Sequence, residues 1–183
     1  MAQLNYLTTV PRLYYHLTEE YSKETNNFVL KHKVAGKYVG ITYDQFKEET
    51  DSFAFGLASL GIGKDDKVSI IAENRPEWVY SDMAILGLGA IDVPLYPSLT
   101  SDSVEYILNN SESKAIIVST KFQLNKVMKI RDKCKTLKYI ILLNEKDVDE
   151  NIKDLLSFSK VQELGKTFSK AHPSLLKDNL AII

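Results

Sequence analysis

Four short, nearly uninterrupted apolar runs recur between Lys67 and Asn144: "KVSIIAE", "AIDVPL", "KAIIVS" and "LKYIILLN". Three longer stretches with helical character separate them: "RPEWVYSDMAILGLG", "DSVEYILNN" and "FQLNKVMKIRDKC". Strands that do not alternate apolar with polar residues are covered on both faces. Strands joined by helix-length connections run parallel. The pattern predicts an α/β layer with a mainly parallel sheet of at least four strands, flanked by helices.

The residues before Lys67 predict a lead-in of a different kind. Val10–Glu24 reads as a helix, with Thr8 or Thr9 as its cap and Pro11 in the first turn. "NFVLKHKVAGKYVGITY" alternates around Ala35-Gly36 and predicts a β-hairpin. Thr42 with Gln45 has the spacing of a capping box. A helix follows to Gly61, with Ile62 placed for the contact that accompanies a glycine C-cap. Asp102 and Glu105 have capping-box spacing as well. After Asn144, "EKDVDENIKD" reads as a loop and "SFSKVQELGKTF" as a short helix. The terminal "DNLAII" reads as the opening of a further buried strand, a sign of a fragment.

Bulk properties exclude several functions. The 183 residues carry a formal net charge of -1, so the chain is no general binder of nucleic acid. No apolar run reaches the ~18 residues that span a bilayer. No signal peptide is legible in "MAQLNYLTTVPRLYYHLTEE". Cys134 is the single cysteine, which excludes an internal disulfide and fits the reducing cytoplasm.

Sites of chemistry are sparse. Gly87 and Gly89 form a GxG, but they close a helix and lead into a strand, and Asp92 stands where a third glycine belongs. A dinucleotide loop needs the order strand, glycine turn, helix. There is no GxxxxGK[ST], HExxH or GxSxG. His16, His32 and His172 lack metal-ligand spacing, and Cys134 shares an apolar helical stripe with Val127 and Ile130. Trp78, Tyr80, Met83 and Tyr96 read as core, with an acyl-pocket wall as the alternative. Lys121 to Lys138 holds seven Lys or Arg against one Asp, either a solvated helix face or a contact for anions.

The run "LGLGAIDVPLYPSLTSDSVEYIL" resembles the second core motif of the acyl-adenylate-forming enzymes, and "ITYDQF" at Ile41–Phe46 resembles the first. Between them, "LASLGIGKDDKVSIIAENRPEWV" has the family's phrasing, with Asp65 where glycine is commoner. "NRPEW" and "PLYPSLT" are most similar to the long-chain fatty acid–CoA ligases. The resemblance runs from about Val10 to Ile183.

It implies part of the large N-terminal domain of an acyl-CoA synthetase, with residues 1–66 as lead-in and 67–183 as the α/β layer. The parent would join a fatty acid to ATP with Mg2+, release pyrophosphate, and pass the acyl group to CoA. The family's phosphate loop, ribose and magnesium contacts and mobile C-terminal lysine have no match in these residues. The phosphate loop is expected directly after "LAII", so the chain alone is expected to be inactive. By the same resemblance, Lys121 and Lys126 are candidate contacts for CoA phosphates. Peripheral contact with an anionic membrane and self-association of the fragment are further expectations. The competing readings are another acyl- or aryl-adenylating enzyme, and a free-standing α/β binding module.

Overall fold

The computed structural model describes residues 8–24 and 27–182. The ends of the lead-in and of the terminal apolar run, Met1–Leu7 and Ile183, lie outside the described residues.

The lead-in comprises helix α1 (Val10–Tyr21), the hairpin strands β1 (Phe28–Val34) and β2 (Lys37–Thr42), and helix α2 (Tyr43–Ser59). The hairpin turns at Ala35 and Gly36, with φ of 48° and 82°. Both central residues are left-handed, as a two-residue turn matched to strand twist requires. Thr42 and Gln45 form the expected capping box: the Thr42 hydroxyl accepts from the Gln45 N–H, and Gln45 Oε1 accepts from the Thr42 N–H at 3.0 Å. At the other end of α2, Gly61 donates to Ala58 and Ile62 to Leu57, closing a Schellman cap. Ile62 is buried, as its position predicted.

The layer contains β3 (Lys67–Ile71), α3 (Pro76–Gly87), β4 (Ile91–Leu95), α4 (Ser101–Ser111), β5 (Ala115–Val118), α5 (Lys121–Met128), β6 (Tyr139–Leu142), β7 (Leu155–Ser157), α6 (Phe158–Ala171) and α7 (Leu175–Ile182). The five strands are parallel in the order β4-β3-β5-β6-β7. Val68, Ile70, Ile117 and Ile141 pack on one face against α1, α2, α3 and α6. Ile71, Ile116, Val118, Ile140 and Leu142 pack on the other against α4 and α5. Successive side chains of one strand thus enter two different cores.

The tightest contact is between α2 and α6. A Cβ on Gly56 would collide with the Val161 carbonyl, and one on Gly165 with the Ser52 carbonyl. The backbones meet because glycine stands at both points. Phe53 is fully buried beside them and stacks on Phe158 at 4.3 Å. Phe53→Ala is expected to cost about 3–5 kcal/mol.

Three sequence expectations are corrected. The terminal apolar run is helix α7, not a strand. Leu176 and Leu180 lie four residues apart, and Leu176 is buried. Arg12 of α1 donates to the carbonyls of Leu180 and Ala181 at 2.9 and 3.3 Å, satisfying acceptors near the helix end. Helix α4 is capped by Thr100, whose hydroxyl accepts from the Ser103 N–H, rather than by Asp102 with Glu105. The helix expected to reach Cys134 stops at Met128, and a 3₁₀ turn, Arg131–Lys133, follows. The short β7 was not distinguishable from loop. Only three residues long, it lies under the pattern length that sequence periodicity needs.

Candidate functional site: the carboxyl edge of the sheet

The strand order reverses at β3: one crossover leads outward to β4, the next returns to β5. In open α/β sheets such a reversal opens a crevice beyond the carboxyl ends of the strands, where ligands bind. Here the exits of β3, β4 and β5 are Glu73–Glu77, Tyr96–Thr100 and Ser119–Thr120.

Side chains stitch these exits together. Arg75 pairs with Glu77 through two bonds of 2.8 Å, and its Nη1 reaches the Ser119 carbonyl at 3.4 Å. The amide of Gln123 donates to Glu73 Oε1 and to the Pro97 carbonyl, each at 3.2 Å. The Lys126 ammonium donates to the carbonyls of Pro97 and Leu99 at 2.7 and 2.8 Å, and lies 4.7 Å from the centre of the Phe122 ring. Helix α5 presents these groups because Thr120 caps it at the β5 exit. Gln123 and Lys126 then fall about one turn apart on the face toward the β4 exit.

The electrostatics follow from these contacts. The Ser119 hydroxyl beside Glu73, with Gln123 and Arg75, holds the Glu73 carboxyl below its ordinary range, against the opposing effect of burial. Burial would raise Glu77, but the Arg75 guanidinium and the residue's own backbone N–H bring it below the ordinary range. Both carboxylates are therefore charged at neutral pH.

The sequence-predicted candidates occupy this edge. Lys121 is exposed at the first position of α5. Lys126 is half-buried and already engaged as a loop clamp. Beside it lies an open hollow of about 510 Å³ lined by Phe122, Asn125, Lys126, Met128 and Lys129. Phe122 and Tyr96 are exposed aromatics on this side of the molecule. The edge can hold an anion and an aromatic ring. The Ser119 hydroxyl beside Glu73 is buried.

The other candidates are not brought together. Trp78, Tyr80 and Met83 pack into the core, whereas Tyr96 is 80 % exposed. Cys134 is buried, and burial, followed by the nearby Glu105, pushes its thiol pKa up, which makes it inert. His16 pairs with Glu20, His32 sits on the hairpin, and His172 stacks on Phe168. Among the described residues no group of three His, Cys, Asp or Glu could hold a metal. Among them, too, no helix is long and apolar enough to cross a membrane.

One feature escaped sequence reasoning. Asp82 of α3 and Asp92 of β4 face each other; burial and the second carboxyl raise the Asp82 pKa to about 7. They are ten residues apart on different elements, and no sequence signal pairs them.

An open parallel sheet with ligand-facing loops over its reversal point defines a class of nucleotide- and coenzyme-handling α/β proteins. The chain belongs to the AMP-binding enzymes: the model of that family matches residues 18–183. It is 29 % identical over 177 residues to the long-chain-fatty-acid–CoA ligase heimdall of Drosophila melanogaster, covering 94 % of this chain and 25 % of that protein. It is 36 % identical over 86 residues to fatty acyl-CoA synthetase A of Dictyostelium discoideum, covering 47 % of this chain and 13 % of that protein. The chain thus spans a quarter or less of the length of these relatives. The fold matches that of the anthranilate CoA ligase AuaEII in complex with anthranoyl-AMP, with a TM-score of 0.68 and 23 % identity over 84 % of this chain and 26 % of that one. It also matches the A-PCP didomain of carboxylic acid reductase from Segniliparus rugosus in complex with AMP. There the TM-score is 0.72, with 13 % identity over 89 % of this chain and 28 % of that one. The resemblance read from the two core motifs holds.

Proposed function

We propose that this chain is the N-terminal part of an ATP-dependent long-chain fatty acid–CoA ligase. The parent activates a fatty acid as its acyl adenylate, releases pyrophosphate, and transfers the acyl group to CoA with release of AMP. The observation that carries this reading is the match to a long-chain fatty acid–CoA ligase across 94 % of the chain.

Within that reaction, these residues act as scaffold and wall. Residues 1–66 are the lead-in and 67–183 the α/β layer. The stitched edge fits one end of CoA: Lys121 and Lys126 supply positive charge for its phosphates, and the exposed Phe122 ring supplies a stacking surface. CoA supplies the thiol that accepts the acyl group. The family's phosphate-loop and magnesium motifs have no match in these residues, so ATP·Mg is assigned to the rest of the parent. The chain alone is expected to be catalytically inactive. The cytoplasm is the proposed compartment, with the basic stretch 121–138 as the side turned toward anionic membrane.

The test is acid-dependent release of AMP and pyrophosphate by the full-length protein supplied with ATP, Mg2+, CoA and fatty acids of graded length. Turnover only with aryl acids would replace this reading with an aryl-adenylating one. For residues 1–183 alone, calorimetry is expected to give no heat with ATP·Mg and weak, salt-sensitive heat with CoA. Saturable binding of ATP at micromolar affinity would overturn the scaffold assignment.

A further inference from the structure

We infer that Gln123 and Lys126 are positioning residues: together they clamp the β4-exit loop, residues 96–100, against the β3 exit and so set the shape of the CoA-side wall. The inference rests on the ligase reading above and names residues of that same site.

Gln123 is only 2 % exposed. Both groups facing its amide nitrogen, the Glu73 carboxylate and the Pro97 carbonyl, can only accept hydrogen bonds. Chemistry therefore fixes the orientation of the amide, with both N–H groups committed. Its Oε1 is buried with no donor among the described residues. An orphaned buried acceptor is costly, and a leucine or methionine in the same place would avoid it. The amide is thus a poor choice for packing and a good one for tying two strand exits together.

Lys126 completes the clamp. Two of its three ammonium protons are spent on the carbonyls of Pro97 and Leu99. Within the loop Pro97 has no N–H, and the loop's own backbone turn is a single bond from the Leu99 N–H to the Tyr96 carbonyl at 3.1 Å. α5 thus adds a side-chain hold on the loop to the Thr100 cap of α4 and the packing of Leu99 on the core. The two lysines therefore divide the work. Lys126 holds the wall and keeps one ammonium proton for a phosphate, and Lys121, exposed at the helix start beside Asp149, offers the more accessible charge.

The test uses the full-length protein and four variants: Gln123→Met, Lys126→Met, Lys126→Arg and Lys121→Met. Hydrogen exchange at Leu99, exchange in β5 and β6, and kcat and KM for CoA are read for each. Gln123→Met and Lys126→Met are expected to speed exchange at Leu99 about tenfold while β5 and β6 are unchanged. They should raise the KM for CoA about tenfold and leave kcat within about twofold. Lys126→Arg restores both readouts. Lys121→Met raises KM without changing exchange at Leu99. Unchanged exchange at Leu99 in Lys126→Met, or failure of Lys126→Arg to restore it, overturns the clamp. Lys126 is half-buried, so this arm decides the matter even if Gln123→Met does not fold. Absence of acyl-CoA formation by the unaltered protein would sink the ligase reading alone, since the exchange arm needs no turnover.

Discussion

Asp65 has a φ of 67°, a left-handed backbone that glycine adopts without strain. Its N–H donates to the Gly89 carbonyl at 3.0 Å, so the turn is pinned to the end of α3 and cannot relax. The sequence had already marked this position as one where glycine is commoner. Asp65→Gly is expected to raise stability by about 1 kcal/mol, read as a rise in the thermal midpoint. Asp82 makes a second residue-scale prediction. An aspartate ordinarily loses its proton at 3.8; in the fold Asp82 keeps it to about 7, because burial and Asp92 disfavour its charge. Between those values the folded state binds the extra proton and the unfolded state does not. Stability therefore falls as pH rises from about 4 to about 7 and levels off above. Asp82→Asn should flatten this slope and raise stability at pH 8 by about 1 kcal/mol, solvent screening the pair on its open side. Denaturant titrations at pH 5 and pH 8 check it. The Thr42–Gln45 cap was legible in sequence because it is written in residues three apart. The Asp82–Asp92 and Gln123–Glu73 contacts were not, because the sheet brings them together.

At the scale of elements, helices α2 and α6 show how small residues decide packing. Gly56 and Gly165 let the helix backbones touch, and any side chain at Gly165 would meet the Ser52 carbonyl. Gly165→Ala is expected to lower stability by about 3 kcal/mol, measured as a shift in the urea midpoint. The same substitution at Gly63 meets open space and should do far less. The terminal run illustrates the opposite case, where sequence pattern misleads. "LLKDNLAI" is short and apolar enough for a strand, and periodicity alone does not distinguish strand from helix at that length. In the fold it is α7, with Leu176 buried and two bonds from Arg12, across the chain, on carbonyls near its end.

Across the whole molecule, the parallel sheet is the stable frame and its carboxyl edge carries the candidate site. β3, β5 and β6 are paired on both sides, whereas β4 is paired on one. Amides of β5 and β6 are expected to exchange at the global unfolding rate, and those on the open side of β4 at least about tenfold faster. Such a measurement also shows whether residues 1–183 fold by themselves. The alternation of apolar runs and helices fixed the α/β class, the parallel strands and the two-faced core, because burial on both faces demands continuous apolar strands. The core motifs marked the family, and the lysines of α5 stood out as candidate anion contacts. Tertiary structure decided which groups Lys126 touches. Lys126 reads in sequence as a free cation; only the approach of the β4 exit, some thirty residues earlier in the chain, supplies the two carbonyls that occupy it. A sequence encodes burial and local capping through neighbours a few residues apart, while contacts between distant strand exits exist only once the sheet has set its order.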